Sequence, residues 1–278
     1  MLFLKIIDKN KQLKFQTQGR IIQTEYLGEL VEGDKISVYA DGTNIISVQL
    51  DESLQESFLY IPNRSFTFTI PTVRELQMGY APTAFQGDRH KIFVREVDDE
   101  EFYCTRNIAL NAHDSRYKTG AYPHASANFV TRNEPCFYER NAIDGEKNNQ
   151  GHGPYPYHSW AGGARNDLEY TLDFGMEVEV EKLVFYLRAD FKHDHKGVPH
   201  DSYWKNIDIQ FDDGEIVKGE FVLDNTDLNI ENEKGQEIVL EKLKTTRKIK
   251  LFNFTQVTEI LGFAALTQLE VYGQYIKE

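Results

Sequence analysis

Alternating apolar and polar residues recur in short runs along the first hundred residues of the chain. Turn residues such as Glu32-Gly33-Asp34 and Pro62-Asn63 separate the runs. Alternation with a period of two predicts half-buried β-strands. The predicted strands cover residues 2–7, 35–39, 45–50, 57–61, 65–70 and 90–97, and a short helix is predicted over residues 72–77. This rhythm of short strands and turns predicts a β-sandwich.

The pattern changes after the acidic run at residues 98–101, where a long polar and aromatic stretch begins. Strands resume at residues 168–174, 182–188, 206–211, 215–223, 236–240, 247–252 and 268–273. We therefore predict two domains, an N-terminal β-sandwich over residues 1–103 and a second β domain over residues 104–278. The predicted fold class is all-β.

Charge and hydropathy narrow the classes of partner. The chain has 44 acidic and 31 basic residues, a formal net charge of -13. Such a field repels a phosphate backbone, so nucleic acid is not an expected partner. No run approaches the roughly 20 apolar residues of a membrane-spanning helix, and the N-terminus lacks the apolar core of a signal peptide. A membrane span is therefore not expected, and the expected location is cytoplasmic by default.

Only two cysteines occur, Cys104 and Cys136. In the absence of an export signal we expect reduced, structural thiols instead of a disulfide.

Several short segments in the second half follow the order found in one known family. They are Asn-Ala-Ile-Asp-Gly at 141–145, Ser-Trp at 159–160, Leu-Asp-Phe-Gly at 172–175, Glu-Lys-Leu-Val-Phe-Tyr at 181–186, Trp-Lys-Asn-Ile-Asp-Ile-Gln-Phe-Asp-Asp-Gly at 204–214 and Leu-Glu-Val-Tyr-Gly at 269–273. In this order they resemble the galactose-binding-like jelly roll of discoidin, the C-type domains of coagulation factors, fucose lectins and bacterial carbohydrate-binding modules. The resemblance covers residues 104–278. It implies a jelly roll that binds glycans through loops at one end.

The resemblance also implies a structural Ca²⁺ site. Asp144 would supply a carboxylate, Asn141 a backbone carbonyl and Ser159 a hydroxyl or carbonyl, which are hard oxygen ligands of the kind Ca²⁺ prefers. At the last ligand position this sequence has Gln268 where the family usually has Glu, and the missing negative charge weakens the site. The alternative is that Asp144-Gly145 forms a plain turn. No other cofactor is expected.

A sugar site needs an aromatic face for the pyranose and polar side chains for its hydroxyls. The segments 188–204 and 155–165 contain both. The candidate ligand-binding residues are Arg188, Asp190, His193, His200, Tyr203 and Trp204, followed by His158 and Arg165. The alternatives are that Trp204 is a core aromatic residue, because tryptophan is highly buried on average, and that Arg188 is a structural residue paired with Asp190 or Asp201.

Two further functions stay open at this point. His193, His195 and His200, with two neighbouring aspartates, could hold Zn²⁺ and activate water, which indicates a polysaccharide-active or metal-assisted hydrolase. The two sandwiches could also form a protein-protein interaction module. The leading hypothesis is non-catalytic carbohydrate binding.

Overall fold

The regular secondary structure of the described residues is mostly antiparallel β-sheet. The computed structural model describes residues 1–190, 202–223, 234–257 and 262–277. Within these ranges three sheets account for nearly all regular structure, which confirms the predicted all-β sandwich class. None of the helices in the described ranges is long and apolar enough to cross a membrane.

The first half of the chain forms two four-stranded sheets. Its elements are β1 (Leu2–Ile7), β2 (Leu13–Gly19), β3 (Ile21–Leu27), β4 (Lys35–Ala40), β5 (Ile45–Gln49), β6 (Ser57–Tyr60), β7 (Ser65–Thr69), α1 (Val73–Gly79) and β8 (Arg89–Glu96). The strand orders are β2-β1-β4-β7 and β3-β8-β5-β6. All six predicted strands and the helix are present, and the structure adds β2 and β3.

Alternation along the strands builds the core of this first sandwich. Leu2, Leu4 and Ile6 on β1 are fully buried, and so are Ile46 and Val48 on β5 in the other sheet. These side chains belong to one apolar cluster between the two sheets. Burial of such side chains, at roughly 1.5–3 kcal/mol each, is what holds the two layers together.

The second half of the chain forms one large sheet. Its elements are α2 (Asp99–Phe102), β9 (Arg106–Asn107), β10 (His124–Ala127), three 3-10 helices (Thr131–Asn133, Pro135–Phe137 and Glu139–Ile143), β11 (Trp160–Ala161), β12 (Tyr170–Leu187), β13 (Trp204–Gln210), β14 (Ile216–Glu220), β15 (Gln236–Gln256) and β16 (Ala265–Tyr275). The strand order is β11-β16-β12-β15-β13-β14, with β10 beside β12 and β9 beside β16.

The long strands β12 and β15 let this sheet wrap around its own core. Their pairing shifts register between Asp173 and Val178 and again between Val180 and Lys182. Bulges of this kind bend a strand and increase its twist. Gly175 sits in the first irregular stretch with φ of +75°, and a Cβ there would come within 2.5 Å of the Tyr122 ring. The bend therefore requires glycine at this position.

Aromatic side chains fill the centre of the second core. Trp204 on β13 is fully buried, with its ring centroid 5.3 Å from that of Trp160 and 4.7 Å from that of Phe254. The prediction of Trp204 as a stacking platform for a sugar is therefore wrong, because both bent layers of the sheet cover its indole ring.

The two halves interlock along the segment between β9 and β10. Tyr60 and Tyr122 exchange backbone hydrogen bonds of 3.0 and 2.9 Å. Ala112 and Ala121 pack into the first core, whereas Val97 packs into the second. The predicted boundary near residue 103 falls just after α2, and the division into two domains stays a prediction.

Both cysteines are free thiols, Cys104 exposed and Cys136 buried. Burial raises the pKa of the Cys136 thiol to about 11, so this thiol is protonated at neutral pH.

We predict that Trp204→Ala lowers the free energy of unfolding by about 3–5 kcal/mol, because it leaves a large cavity between the two layers. Equilibrium urea unfolding followed by fluorescence measures the change. The control is Tyr117→Ala, whose side chain is 62% exposed and whose loss should change stability by no more than about 0.5 kcal/mol. Unchanged stability in the Trp204 variant would contradict its place in the core.

Candidate functional site

Three segments meet at the end of the second sheet where β12 stops and β16 starts. Arg188, directly after β12, donates its backbone N–H to the carbonyl of Ala265 at 3.0 Å. The next residue, Ala189, donates to the carbonyl of Asn149 at 2.8 Å. The Asn149 side chain in turn donates to the carbonyl of Leu187 at 2.8 Å. These bonds fasten the loop around residue 150 to the ends of both strands.

A pocket of about 440 Å³ opens at this junction. Most of that space is open solvent; the room inside the pocket is about 70 Å³, well below the roughly 300–1,000 Å³ of drug-sized sites, so only part of a ligand fits within it. We call it the loop-end pocket. Its lining residues are Thr131, Arg132, Phe137, His152, Ala161, Arg188, Phe263 and Ala265.

A hydrogen-bonded triad of charged and polar side chains forms one wall. The guanidinium of Arg188 holds the carboxylate of Asp190 through two nitrogens, with Nη2 3.2 Å from Oδ2. The same Oδ2 lies 2.8 Å from Nδ1 of His152. Because Nδ1 is engaged with Asp190, the opposite edge of the imidazole, with Nε2, points away from the pair. Arg188 and Asp190 are buried, whereas the His152 side chain is 38% exposed.

The contacts of Asp190 keep its carboxylate ionised. Burial alone would raise the pKa of Asp190, but the hydrogen bonds from His152 and Arg188 and the positive charge of Arg188 outweigh it and lower the pKa to about 2. Asp190 is therefore an anion at neutral pH, and it orients the imidazole of His152 through an acceptor that stays charged.

Aromatic rings form the other part of the pocket. Phe137 and Phe263 both line it, and both rings are partly exposed. The carbonyl of Phe263 accepts a hydrogen bond of 3.0 Å from Nη1 of Arg188. The residue that offers an apolar ring is thus fastened to the same guanidinium that holds Asp190.

The structure unites only some of the predicted ligand-binding residues. Arg188 lines the loop-end pocket, and Asp190 supports its wall. The alternative in which Arg188 pairs with Asp190 is also realised, because the ion pair is what holds the wall. His193 and His200, like the other histidine of the proposed zinc cluster, lie outside the described residues.

The remaining predicted residues lie elsewhere. Tyr203 is 7% exposed and packs into the second core beside Trp204, so neither ring is accessible to a sugar. His158 is buried and its Nε2 lies 2.6 Å from Oδ2 of Asp144. Arg165 pairs with Asp167, with Nε 2.8 Å from Oδ1, and does not line the pocket. Tyr203, Trp204 and His158 are thus buried by neighbours that sequence spacing does not reveal, whereas Arg165 is partly exposed but lies outside the loop-end pocket.

The four predicted Ca²⁺ ligands do come together, but their contacts do not suit a cation. Asp144 is the one carboxylate of the set, and its Oδ2 faces both His158 and the guanidinium of Arg140, 3.4 Å away. The Gln268 side-chain oxygen accepts the Gly145 N–H at 3.2 Å. The remaining pair, Asn141 and Ser159, is joined by a 3.3 Å bond from the Asn141 amide to the Ser159 carbonyl.

Positive charge at Asp144 is already supplied by the chain. Arg140 is buried and its guanidinium donates to five oxygens: the carbonyls of Asp114 (2.9 Å), Gly79 (3.2 Å) and Ala112 (3.4 Å), Oδ1 of Asn141 (3.0 Å) and Oδ2 of Asp144 (3.4 Å). A divalent ion beside this guanidinium would meet repulsion. The donor set therefore does not fit Ca²⁺, and within the described ranges no cluster of three or more His, Cys, Asp or Glu side chains could hold a metal.

Of the lining residues of the loop-end pocket, the sequence reasoning found only Arg188, and the most important of those it missed are His152 and Phe263. His152 lies in the Gly-His-Gly-Pro stretch at 151–154, which carries a clear turn signal but no sign that it folds back onto the end of β12. Phe263 precedes β16 without any periodic pattern. Both become recognisable only when the strand order places them beside Arg188.

We predict that the stability contributed by Asp190 is lost between about pH 4 and pH 2. A folded-state pKa below the unfolded value stabilises the protein above the unfolded pKa, and this gain disappears as the pH falls through the folded pKa. Asp190→Asn should therefore cost about 1–2 kcal/mol at pH 6, after allowance for solvent screening. Urea unfolding of both proteins from pH 6 to pH 2.5 tests this. A difference between the two proteins that does not shrink at low pH would contradict the assignment.

We predict that the chain does not depend on Ca²⁺. The melting temperature should be the same in excess Ca²⁺ and in EDTA, by differential scanning calorimetry. Arg140→Met should instead lower the free energy of unfolding by about 3–5 kcal/mol, because it leaves Asp144 and several carbonyls buried without their cation. The matched control is Arg132→Met, since the Arg132 side chain is 69% exposed. A higher melting temperature of the unmodified protein in Ca²⁺ than in EDTA would contradict the conclusion that these residues do not form a Ca²⁺ site.

Solved structures of known proteins are similar to this chain, whereas known sequences are not. No protein-family model and no curated protein sequence matches it. Chitosan-binding module 1 of a chitosanase/glucanase from Paenibacillus sp. IK-5 is 17% identical, with 60% of this chain and 99% of the module covered and a TM-score of 0.37. A Streptococcus pneumoniae fucose binding module is 15% identical, with 64% and 99% covered and a TM-score of 0.39. The family 32 carbohydrate-binding module of C. perfringens NanJ, in complex with galactose, is 17% identical, with 53% and 91% covered and a TM-score of 0.37. Chitosan, fucose and galactose are the ligands of these three modules.

Proposed function

We propose that the chain is a non-catalytic carbohydrate-binding protein whose glycan site is the loop-end pocket. The observation that carries this proposal is the fixed triad of Arg188, Asp190 and His152 in the same pocket as the partly exposed ring of Phe263. The pocket combines a polar wall with an apolar ring, and these are the two surfaces that a pyranose needs.

The two surfaces match the two faces of a sugar ring. The C–H face of a pyranose is apolar and packs against an aromatic ring such as that of Phe263, whereas its hydroxyls seek charged or polar partners. His152 is oriented by an ionised Asp190, which is in turn held by Arg188. Because these side chains are already in place, a sugar pays little for ordering them.

The affinity of a single site should nevertheless be modest. Each hydroxyl exchanges its hydrogen bonds with water for hydrogen bonds with the protein, so the net gain per bond is only about 0.5–1.5 kcal/mol. One aromatic contact and a few such bonds give weak binding that several copies of the site could strengthen.

We predict that a glycan array identifies a bound saccharide and that Phe263→Ala and His152→Ala each weaken its binding at least about tenfold, the scale of one lost aromatic or hydrogen-bonding contact. Isothermal titration calorimetry with the best saccharide measures the change. Both side chains are partly exposed, so the variants should remain folded.

Matched controls separate the pocket from its surroundings. Phe129→Ala removes another partly exposed phenylalanine ring, and Arg165→Gln removes a predicted ligand that lies outside the pocket. Both variants should bind as the unmodified protein does. An array without any bound glycan, or full binding by Phe263→Ala, would overturn the proposal.

A further inference from the structure

A second cleft lies along the seam between the two halves of the chain. The room inside it is about 150 Å³, or about 620 Å³ when the open solvent at its mouth is counted, and we call it the seam cleft. The first sandwich contributes Glu32, Gly33, Thr69, Ile70, Pro71, Thr72, Glu75, Gly79 and Tyr80, and the second half contributes Ser115, Arg116, Tyr117, Pro135, Tyr138 and Arg140. The seam cleft shares no lining residue with the loop-end pocket.

Both arginines of the seam cleft are already neutralised by carboxylates behind them. Nε of Arg116 lies 2.9 Å from Oε1 of Glu139, and Nη2 of Arg140 lies 3.4 Å from Oδ2 of Asp144. These pairs face inward, since the side chains of Glu139 and Asp144 are 7% and 9% exposed. Each arginine therefore has a carboxylate of its own, although the positive charge of Arg116 still opposes the larger effect by which Glu75 raises the pKa of Tyr117.

Among the residues that the structure describes, the other charged residues of the cleft, Glu32 and Glu75, are not paired with an arginine or lysine in this way. Oε2 of Glu75 accepts the backbone N–H of Thr72 at 2.8 Å, and Oε2 of Glu32 lies 3.4 Å from the backbone N–H of Val73. In the part of the chain that the structure describes, neither carboxylate forms an ion pair with a side chain. The negative charge of Glu75 is the largest cause of the raised pKa of Tyr117 on the opposite wall. The cleft thus carries a surplus of two negative charges.

Aromatic side chains form the opposite wall and the floor. Tyr117 is 62% exposed, whereas Tyr80 is buried beneath the cleft. The Arg116 guanidinium lies 4.4 Å from the centroid of the Tyr138 ring, which fixes that ring in the wall. An exposed phenol and two carboxylates therefore line the same cleft.

We propose that the seam cleft binds an amino sugar, with its ammonium group against Glu32 and Glu75 and its ring against Tyr117. Carboxylates pair with a cationic ammonium and accept hydrogen bonds from hydroxyls, and the phenol ring provides the surface for the C–H face of the sugar. An anionic sugar is repelled by the two glutamates, and an acetylated amine loses the charge that they select. This second site does not depend on glycan binding at the loop-end pocket.

The test is calorimetric titration of the full chain at pH 6, where an aliphatic amine is protonated, with β-1,4-linked glucosamine tetramer and with its fully N-acetylated counterpart. The glucosamine tetramer should bind, and the acetylated tetramer should bind at least tenfold more weakly. Glu75→Gln should reduce the affinity for the glucosamine tetramer about tenfold, the scale of one hydrogen bond to a charged group. Glutamine still accepts the N–H of Thr72, so the start of α1 is preserved.

The controls distinguish the seam cleft from general charge and from the loop-end pocket. Glu100→Gln removes an equal charge from an exposed position on α2 and should leave the affinity unchanged, whereas Tyr117→Ala should reduce it at least tenfold. Phe263→Ala should also leave it unchanged. Failure of the glucosamine tetramer to bind, equal binding of the acetylated tetramer, or a loss caused by Phe263→Ala but not by Glu75→Gln would overturn this proposal.

Discussion

The requirement to pair buried guanidinium groups organises the second half of the chain at two places. A charged group that leaves water must find partners that replace its hydration. Arg140 finds them in oxygens from both halves of the molecule, including the carbonyl of Gly79, and so fastens the first sandwich to the second sheet. Arg188 finds them in Asp190 and the carbonyl of Phe263, and so fixes the loops where β12 stops and β16 starts. The fold and the loop-end pocket thus depend on the same physical constraint.

The location of the pocket follows from this arrangement. The backbone around β12 and β16 is held by ladder hydrogen bonds, so the residues that follow it start from a rigid support. Arg188 lies one residue beyond β12 and Phe263 two residues before β16, close enough to inherit that rigidity. His152 comes from a loop without regular structure and needs its bond to Asp190 to be positioned. The pocket therefore needs no loop closure to bring its polar wall and its ring together.

Strands with clear alternation were predictable from the sequence, and those without it were not. β1 and β4 bury every second side chain, whereas β2 lies at a sheet edge without a fully buried residue, so its signal is weak. The prediction also split β12 and β15 into two strands each, because the regular alternation is interrupted inside both and sequence does not show that a bulge continues a strand. In the site, Arg188 and Asp190 were predictable as charged residues at a strand end. The burial of Trp204 and the approach of Phe263 depend on which strands are neighbours, which periodicity does not specify.

Chemical-shift mapping of the ¹⁵N-labelled chain, titrated with the best saccharide from a neutral-glycan array, tests the central claim most directly. The account predicts that the amide signals of His152, Phe263 and Ala265 shift together and saturate with one dissociation constant. Shifts confined to the four-stranded sheets of the first sandwich, or a bound saccharide that leaves these three amides unchanged, would contradict it.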